Sequence, residues 1–135
     1  MPIYEHRYPN GLVLVAESMQ SLESVAFTFL VPVGAAYDPF GRAGLTSMTC
    51  EMALRGCGEL DSRQFVERLE QLGIETGETV TVSHTCFRAA LLADHLTDAL
   101  QLYGDLLLRP QFPEEELESG RQVAIQEYRA LEDEL

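Results

Sequence analysis

The 135-residue sequence predicts an α+β domain: a layered sheet with helices packed on one face. Two observations lead there. The first quarter is rich in β-branched and aromatic residues and is cut by turn chemistry. Beyond it, four stretches repeat apolar residues at spacings of three and four, interrupted once by a Thr/Val-rich alternating run. The resulting order is β-β-β-α-α-β-α-α, without internal repeats or low-complexity segments. Residues 1–135 read as a single domain, or the N-terminal part of one.

Ile3 to Tyr8 and Leu12 to Ala16 are predicted strands of an opening hairpin. Pro9-Asn10-Gly11 supplies its turn, because proline fixes one backbone angle and Asn-Gly tolerates positive φ. Val25 to Val33 is a third strand, followed by an Asp38-Pro39-Phe40-Gly41 loop. Leu45, Met48, Met52 and Ala53 mark a first helix, expected to stop at Gly56 to Gly58. Ser62 is the expected N-cap of a second, with Phe65, Val66, Leu69 and Leu72 as its stripe and Gly73 as its stop. Thr79 to Leu92 reads as one long strand or two in sequence. Leu96, Ala99, Leu100, Tyr103 and Leu107 define a third helix ending at Arg109-Pro110. Pro113 and three glutamates open a fourth, with Leu117, Ala124, Tyr128 and Leu131 as its buried side. The end, Glu134-Leu135, has no helix terminator and an unfavourably acidic helix end, so the natural polypeptide is expected to continue.

The net charge is −13, every basic residue is arginine, and residues 114–135 alone carry eight acids and two arginines. This balance excludes nucleic acid and anionic membrane surfaces as natural partners. No run approaches the ~20 apolar residues of a membrane span. Met1 to Glu5 lacks the basic start and apolar run of a secretory signal. Cys50, Cys57 and Cys86 are odd in number and irregularly spaced, which points to reduced thiols and a cytoplasmic location.

Five phrases, in order, resemble the N-terminal half-domain of the insulinase/pitrilysin zinc peptidases, which include the mitochondrial processing peptidases. Asn10 to Leu14 resembles that family's opening hairpin, and Val31 to Asp38 its third strand and turn. Gly44 to Gly56 resembles its metal helix. Leu107 to Phe112 resembles the link to its later acidic helix, and Arg121 to Tyr128 the segment supplying its last metal ligand. The resemblance covers essentially the whole chain and implies a peptidase half-domain of this type, truncated.

Active members carry His-x-x-Glu-His on the metal helix. Histidines four residues apart share a helix face and hold one zinc, the intervening glutamate activates water, and a distal glutamate completes the site. By this resemblance the matching positions here are Ser47, Cys50 and Glu51, with Glu127 as the distal ligand. The interval from Glu51 to Glu127 (127 − 51 = 76) suits the family's arrangement. Serine is a poor zinc ligand, and a thiol of pKa about 8.5 does not replace a carboxylate as base. Cys50 and Glu51 are adjacent on a helix and diverge by about 100°, so one metal rarely collects both. The expectation is therefore no catalytic residue and no metal, although zinc is the family's cofactor.

His6, His84 and His95 lie in hairpin, strand and helix entry, and offer no substitute ligand set. His84 and Cys86, two apart on one strand, would share a sheet face without an oxyanion hole. Active members also show an Asn-Ala-x-Thr phrase on the edge strand that pairs with peptide substrate. The matching positions are Gly77, Glu78, Thr79 and Val80, where a glutamate replaces the small apolar residue. The resemblance thus implies a non-catalytic homologue. Its expected role is to supply chamber wall, peptide binding or assembly beside an active homologous subunit or second half-domain. The alternative is an active zinc peptidase with an unusual ligand set.

Overall fold

A computed structural model describes residues 2–133; the expected absence of a helix terminator at Glu134-Leu135 lies outside them. Strands β1 (Ile3–Arg7) and β2 (Val13–Glu17) form the predicted hairpin, with Ile3 opposite Glu17 and Arg7 opposite Val13. Its turn is closed by Tyr8 N donating to Leu12 O at 2.8 Å and Leu12 N donating to Asn10 Oδ1 at 3.1 Å. Every residue of both strands is exposed.

The central sheet has the order β3-β7-β6 and is antiparallel throughout, built from β3 (Ser24–Val31), β6 (Glu75–Val80) and β7 (Thr85–Leu92). The predicted third strand ends two residues early, at Val31. Of the two forms expected for the Thr/Val-rich run, two strands in sequence is the one observed; they pair antiparallel, and the first begins at Glu75, four residues before the expected start. The turn between them contains neither Gly nor Pro. It is closed by Thr81: its backbone N and its Oγ1 both donate to His84 O (2.8 and 2.9 Å), and His84 N donates back to Oγ1 at 3.1 Å. His84 lies in this turn, with Ser83 Oγ 2.9 Å from its Nδ1, and not on a strand beside Cys86. The turn sits directly on Gly34, where a Cβ would come within 2.5 Å of His84 N and Thr81 O.

Helices α1 (Leu45–Ala53), α2 (Ser62–Gln71) and α3 (Leu96–Leu108) cover one sheet face. Phe87, Ala89 and Leu91 of β7 meet Cys50, Phe65, Tyr103 and Leu106 in a single core, flanked by Val25, Phe27, Phe29 and Val31 of β3. Burying each large apolar side chain contributes roughly 1.5–3 kcal/mol. The Tyr103 ring packs edge-on against Phe27 at 5.1 Å, and its hydroxyl donates to Arg88 O at 3.1 Å.

The boundaries differ from expectation in physically clear ways. Asp61, not Ser62, caps α2: its side chain accepts from Gln64 N at 2.8 Å while Gln64 Oε1 accepts from Asp61 N at 3.0 Å, a complete capping box. The first helix ends at Ala53, before the expected glycines. Gly56–Cys57 (β4) then pairs with Leu60–Asp61 (β5) in a two-residue ribbon that sequence patterning did not mark. A 3₁₀ turn at Glu114–Glu116 precedes α4 (Leu117–Asp133), which packs on α1 through Gly120. Of the expected stripe of α4, Ala124 is half-buried but Leu117 and Tyr128 are exposed, and the Leu131 side chain lies outside the described residues; Gly120 is buried, and Val123 and Ile125 are half-buried. Leu45, Val66 and Leu100 are likewise exposed, and Leu102 and Leu106 take the core positions on α3. No helix among the described residues is long and apolar enough to cross a membrane.

Candidate functional site

Helix α1 starts without a capping side chain of its own, because Gly44 occupies the N-cap in the left-handed region (φ 92°). Asp38 supplies the cap from six residues upstream. Its carboxylate accepts from Gly44 N at 2.7 Å, Thr46 N at 2.8 Å and Thr46 Oγ1 at 2.6 Å. The Thr46 hydroxyl is the largest cause holding the Asp38 carboxyl below its ordinary pKa. This brace fixes the Asp38-to-Gly44 loop and aims the first turn of α1. Sequence reasoning saw only a loop at Asp38; the absence of a Ser, Thr, Asp or Asn at the N-cap was the available signal.

Along α1 the three motif positions meet different environments. Ser47 is exposed. Cys50 is buried in the core, and burial is the main cause that pushes its thiol up to about 12, reinforced by Glu78, Glu51 and Glu127. At neutral pH it is therefore a protonated, neutral group. Glu51 is half-buried, and its Oε1 accepts from Arg55 Nη2 at 2.6 Å and Nε at 3.2 Å. Glu127 stands exposed on α4.

Strand β6 brings the second predicted set to the same place. Glu78 lies opposite Phe87 across β6–β7, and Phe29 lies opposite Phe87 across β3–β7, so the three form one row on the helix-covered face. Glu78 is half-buried there, and burial is the first cause raising its carboxyl pKa, with Glu51 and Glu127 adding to it while Arg88 opposes. It also helps push the buried Tyr103 hydroxyl to about 12. Gly77, Thr79 and Val80 complete the predicted segment on an edge strand that pairs only with β7 among the described residues. Arg88 Nη2 donates to Thr79 Oγ1 at 3.2 Å. The fold thus gathers Cys50, Glu51, Glu78 and Glu127 closely enough to act on one another electrostatically. Ser47 takes no part in that coupling.

As donors these groups do not fit a zinc ion. Ser47 offers only a neutral hydroxyl, Cys50 is buried in the core, Glu51 is held by the Arg55 guanidinium, and no imidazole is among them. Among the described residues, no three His, Cys, Asp or Glu side chains come together in a metal-holding group. The histidines lie elsewhere: His6 between the rings of Tyr4 and Tyr8 in the hairpin, His84 in the β6–β7 turn, and His95 at the start of α3. An apolar cleft of about 480 Å³ runs along a flank of α1 beside Val31, Leu45, Ala53, Phe87 and Leu107, and includes Cys50 but none of the three glutamates.

This layout of sheet, metal-type helix and later acidic helix is that of a peptidase half-domain. The insulinase family (peptidase family M16) matches residues 13–135, and the chain belongs to that family. An uncharacterized zinc protease of Rickettsia bellii is 26% identical over 124 residues, covering 92% of this chain and 30% of that protein. The fold superimposes on a protease from Helicobacter pylori with a TM-score of 0.86 at 19% identity, over 95% of this chain and 31% of that one. It also matches the peptidase M16 inactive domain from Pseudomonas fluorescens with a TM-score of 0.77 at 18% identity, over 86% of this chain and 28% of that one. The chain therefore spans less than a third of the length of each of these relatives.

Proposed function

We propose that this chain is a non-catalytic M16 half-domain that holds no zinc. Its role is to provide chamber wall, peptide contact or assembly surface beside a homologous half-domain that carries the intact motif. The observation that carries this reading is the state of Ser47, Cys50 and Glu51 at the positions of the zinc histidines and the general base. One is an exposed hydroxyl, one a buried neutral thiol, and one a carboxylate spent on Arg55. Water activation needs a carboxylate base next to a Lewis-acidic metal, and a thiol that holds its proton to about 12 supplies neither. The P. fluorescens neighbour, named an inactive domain, supports the same direction as a likeness of fold.

The peptide-facing role is weaker in this chain than in an active homologue. Glu78 places a carboxyl group on the motif side of β6, a strand that pairs only with β7 among the described residues, so its other edge can pair with an extended peptide. Metal analysis of protein purified without chelator tests the proposal. The expected result is much less than one zinc per chain and no cleavage of a quenched peptide library, with or without added zinc. One tightly held zinc per chain, with cleavage lost on Glu127→Gln, overturns it. Crosslinking to a co-expressed homologue that keeps His-x-x-Glu-His, followed by mapping of bound peptide, then separates substrate contact from scaffolding.

A further inference from the structure

In the family's zinc site the metal joins the metal helix to the later acidic helix. The same two helices are joined here by an arginine. Arg55 follows the C-terminal end of α1, and its guanidinium reaches in two directions. Nε and Nη2 hold Glu51 at 3.2 and 2.6 Å, while Nη1 donates to Glu116 Oε2 at 3.2 Å and to Ser119 Oγ at 3.3 Å. Ser119 Oγ in turn donates to Glu116 O at 2.9 Å, which fixes the turn that receives the arginine. Side-chain exposure is 21% for Arg55, 22% for Glu51 and 30% for Glu116, so water competes only partly for these contacts. Most of the other ion pairs are far more open, with at least one partner more than half exposed.

We infer that Arg55 is a guanidinium clasp that ties the end of α1 to the entry of α4, engaging on the α1 side the Glu51 carboxylate that stands at a metal position by resemblance. This rests on the metal-free reading above. Three physical features support it. The Glu51 carboxylate accepts two hydrogen bonds from one guanidinium, at 2.6 and 3.2 Å. A planar guanidinium can bond two carboxylates at once through different edges, which an ammonium cannot do as well. The helix ends are also matched in sign: Arg55 sits past the negative end of α1, and Glu116 sits before the positive end of α4. The helices are pressed together at the same seam, where a Cβ on Gly120 would come within 2.8 Å of Met52 Sδ and 3.6 Å of Glu51 Cγ.

The clasp is tested by thermal unfolding of the full chain in EDTA at low salt, comparing the wild type with Arg55→Met, Arg55→Lys, Glu116→Gln and the double variant R55M/E116Q. Arg55→Met is expected to lower Tm by roughly 3–6 °C and Glu116→Gln by roughly 2–4 °C. The double variant should lose little more than Arg55→Met alone, because both remove the contact between the end of α1 and the entry of α4. Arg55→Lys should recover only part of the loss. The gap between wild type and Arg55→Met should narrow in about 0.5 M salt. If Arg55→Met does not fold, the milder Glu116→Gln reads the same inter-helix contact. A Tm for both single variants within about 1 °C of wild type, or a double-variant loss equal to the sum of the singles, overturns the clasp. Separately, a wild-type Tm that falls when EDTA is added reveals a bound metal and overturns the metal-free reading. The clasp itself is read wholly in chelator, so the two failures are distinguishable.

Discussion

The β1–β2 hairpin and the β3–β7–β6 sheet are both antiparallel and rich in β-branched or aromatic residues, yet they end in opposite states. Ile3, Tyr4, Val13, Leu14 and Val15 are all exposed, while Phe87, Ala89 and Leu91 of β7 are buried beneath three helices. A strand pattern reports which side chains share a face. Whether that face is covered depends on helices elsewhere in the chain, from α1 at Leu45–Ala53 to α3 at Leu96–Leu108. Helix α1 packs on the central sheet, so that packing buries the Cys50 thiol and sets the face on which Glu78 lies. The hairpin fixes neither.

The largest expected difference between the two regions is in side-chain truncation. Phe87→Ala should cost about 3–5 kcal/mol in urea unfolding, because it opens a cavity under α1 and α3. A comparable loss from Val15→Ala in the hairpin would contradict the contrast. Gly34→Ala should cost about 1–3 kcal/mol, because the new methyl group meets backbone atoms of the β6–β7 turn and not a yielding side chain.

Alkaline titration sharpens the comparison from the core side. Burial holds the Cys50 thiol to about 12 and Cys57 to about 11, against 9.0 for an ordinary thiol. The folded pKa values are raised, so this contribution is fully present below pH 9 and is lost as pH climbs toward 11–12. Unfolding midpoints should therefore fall over that window, and less steeply in Cys50→Ala if that variant folds. At neutral pH, a thiol reagent should modify half-exposed Cys86 before either buried cysteine.

Glu78→Gln is expected to have a smaller effect of opposite sign. The folded carboxyl pKa is raised, so ionised Glu78 weakens the fold at pH 7. The amide should raise Tm by a few degrees at most, and the gain should vanish as pH falls below the ordinary carboxyl value of 4.5. A gain that persists at pH 4 would show that charge is not its cause. The smallest effect is expected for Val15→Thr in the exposed hairpin, within about 0.5 kcal/mol.

Much of the architecture was legible because it is local. The Pro9-Asn10-Gly11 turn, the spacing of Phe65, Leu69 and Leu72, and the stop at Arg109-Pro110 each report neighbouring residues, and each corresponds to an observed feature. Elements without local punctuation were left open or missed. The β6–β7 turn uses Thr81 in place of Gly or Pro, which left the run from Thr79 to Leu92 open between one strand and two, and the β4–β5 ribbon, missed altogether, is only two residues long on each side. On α4 the apolar pattern placed Ala124 on the packed side but also Leu117 and Tyr128, which are exposed, and it passed over Gly120, which carries no side chain for such a pattern to count yet stands against Met52 of α1.

The sequence by itself determined the family, because ordered phrases of residues need no coordinates. Only the tertiary structure decided what those residues became. Arg55 meets Glu116 across 61 positions of chain, Glu78 turns inward because its partner Phe87 does, and Cys50 keeps its proton because the sheet and helices exclude water around it. Long-range pairing and burial are properties of packed surfaces, and no spacing within a single element encodes them.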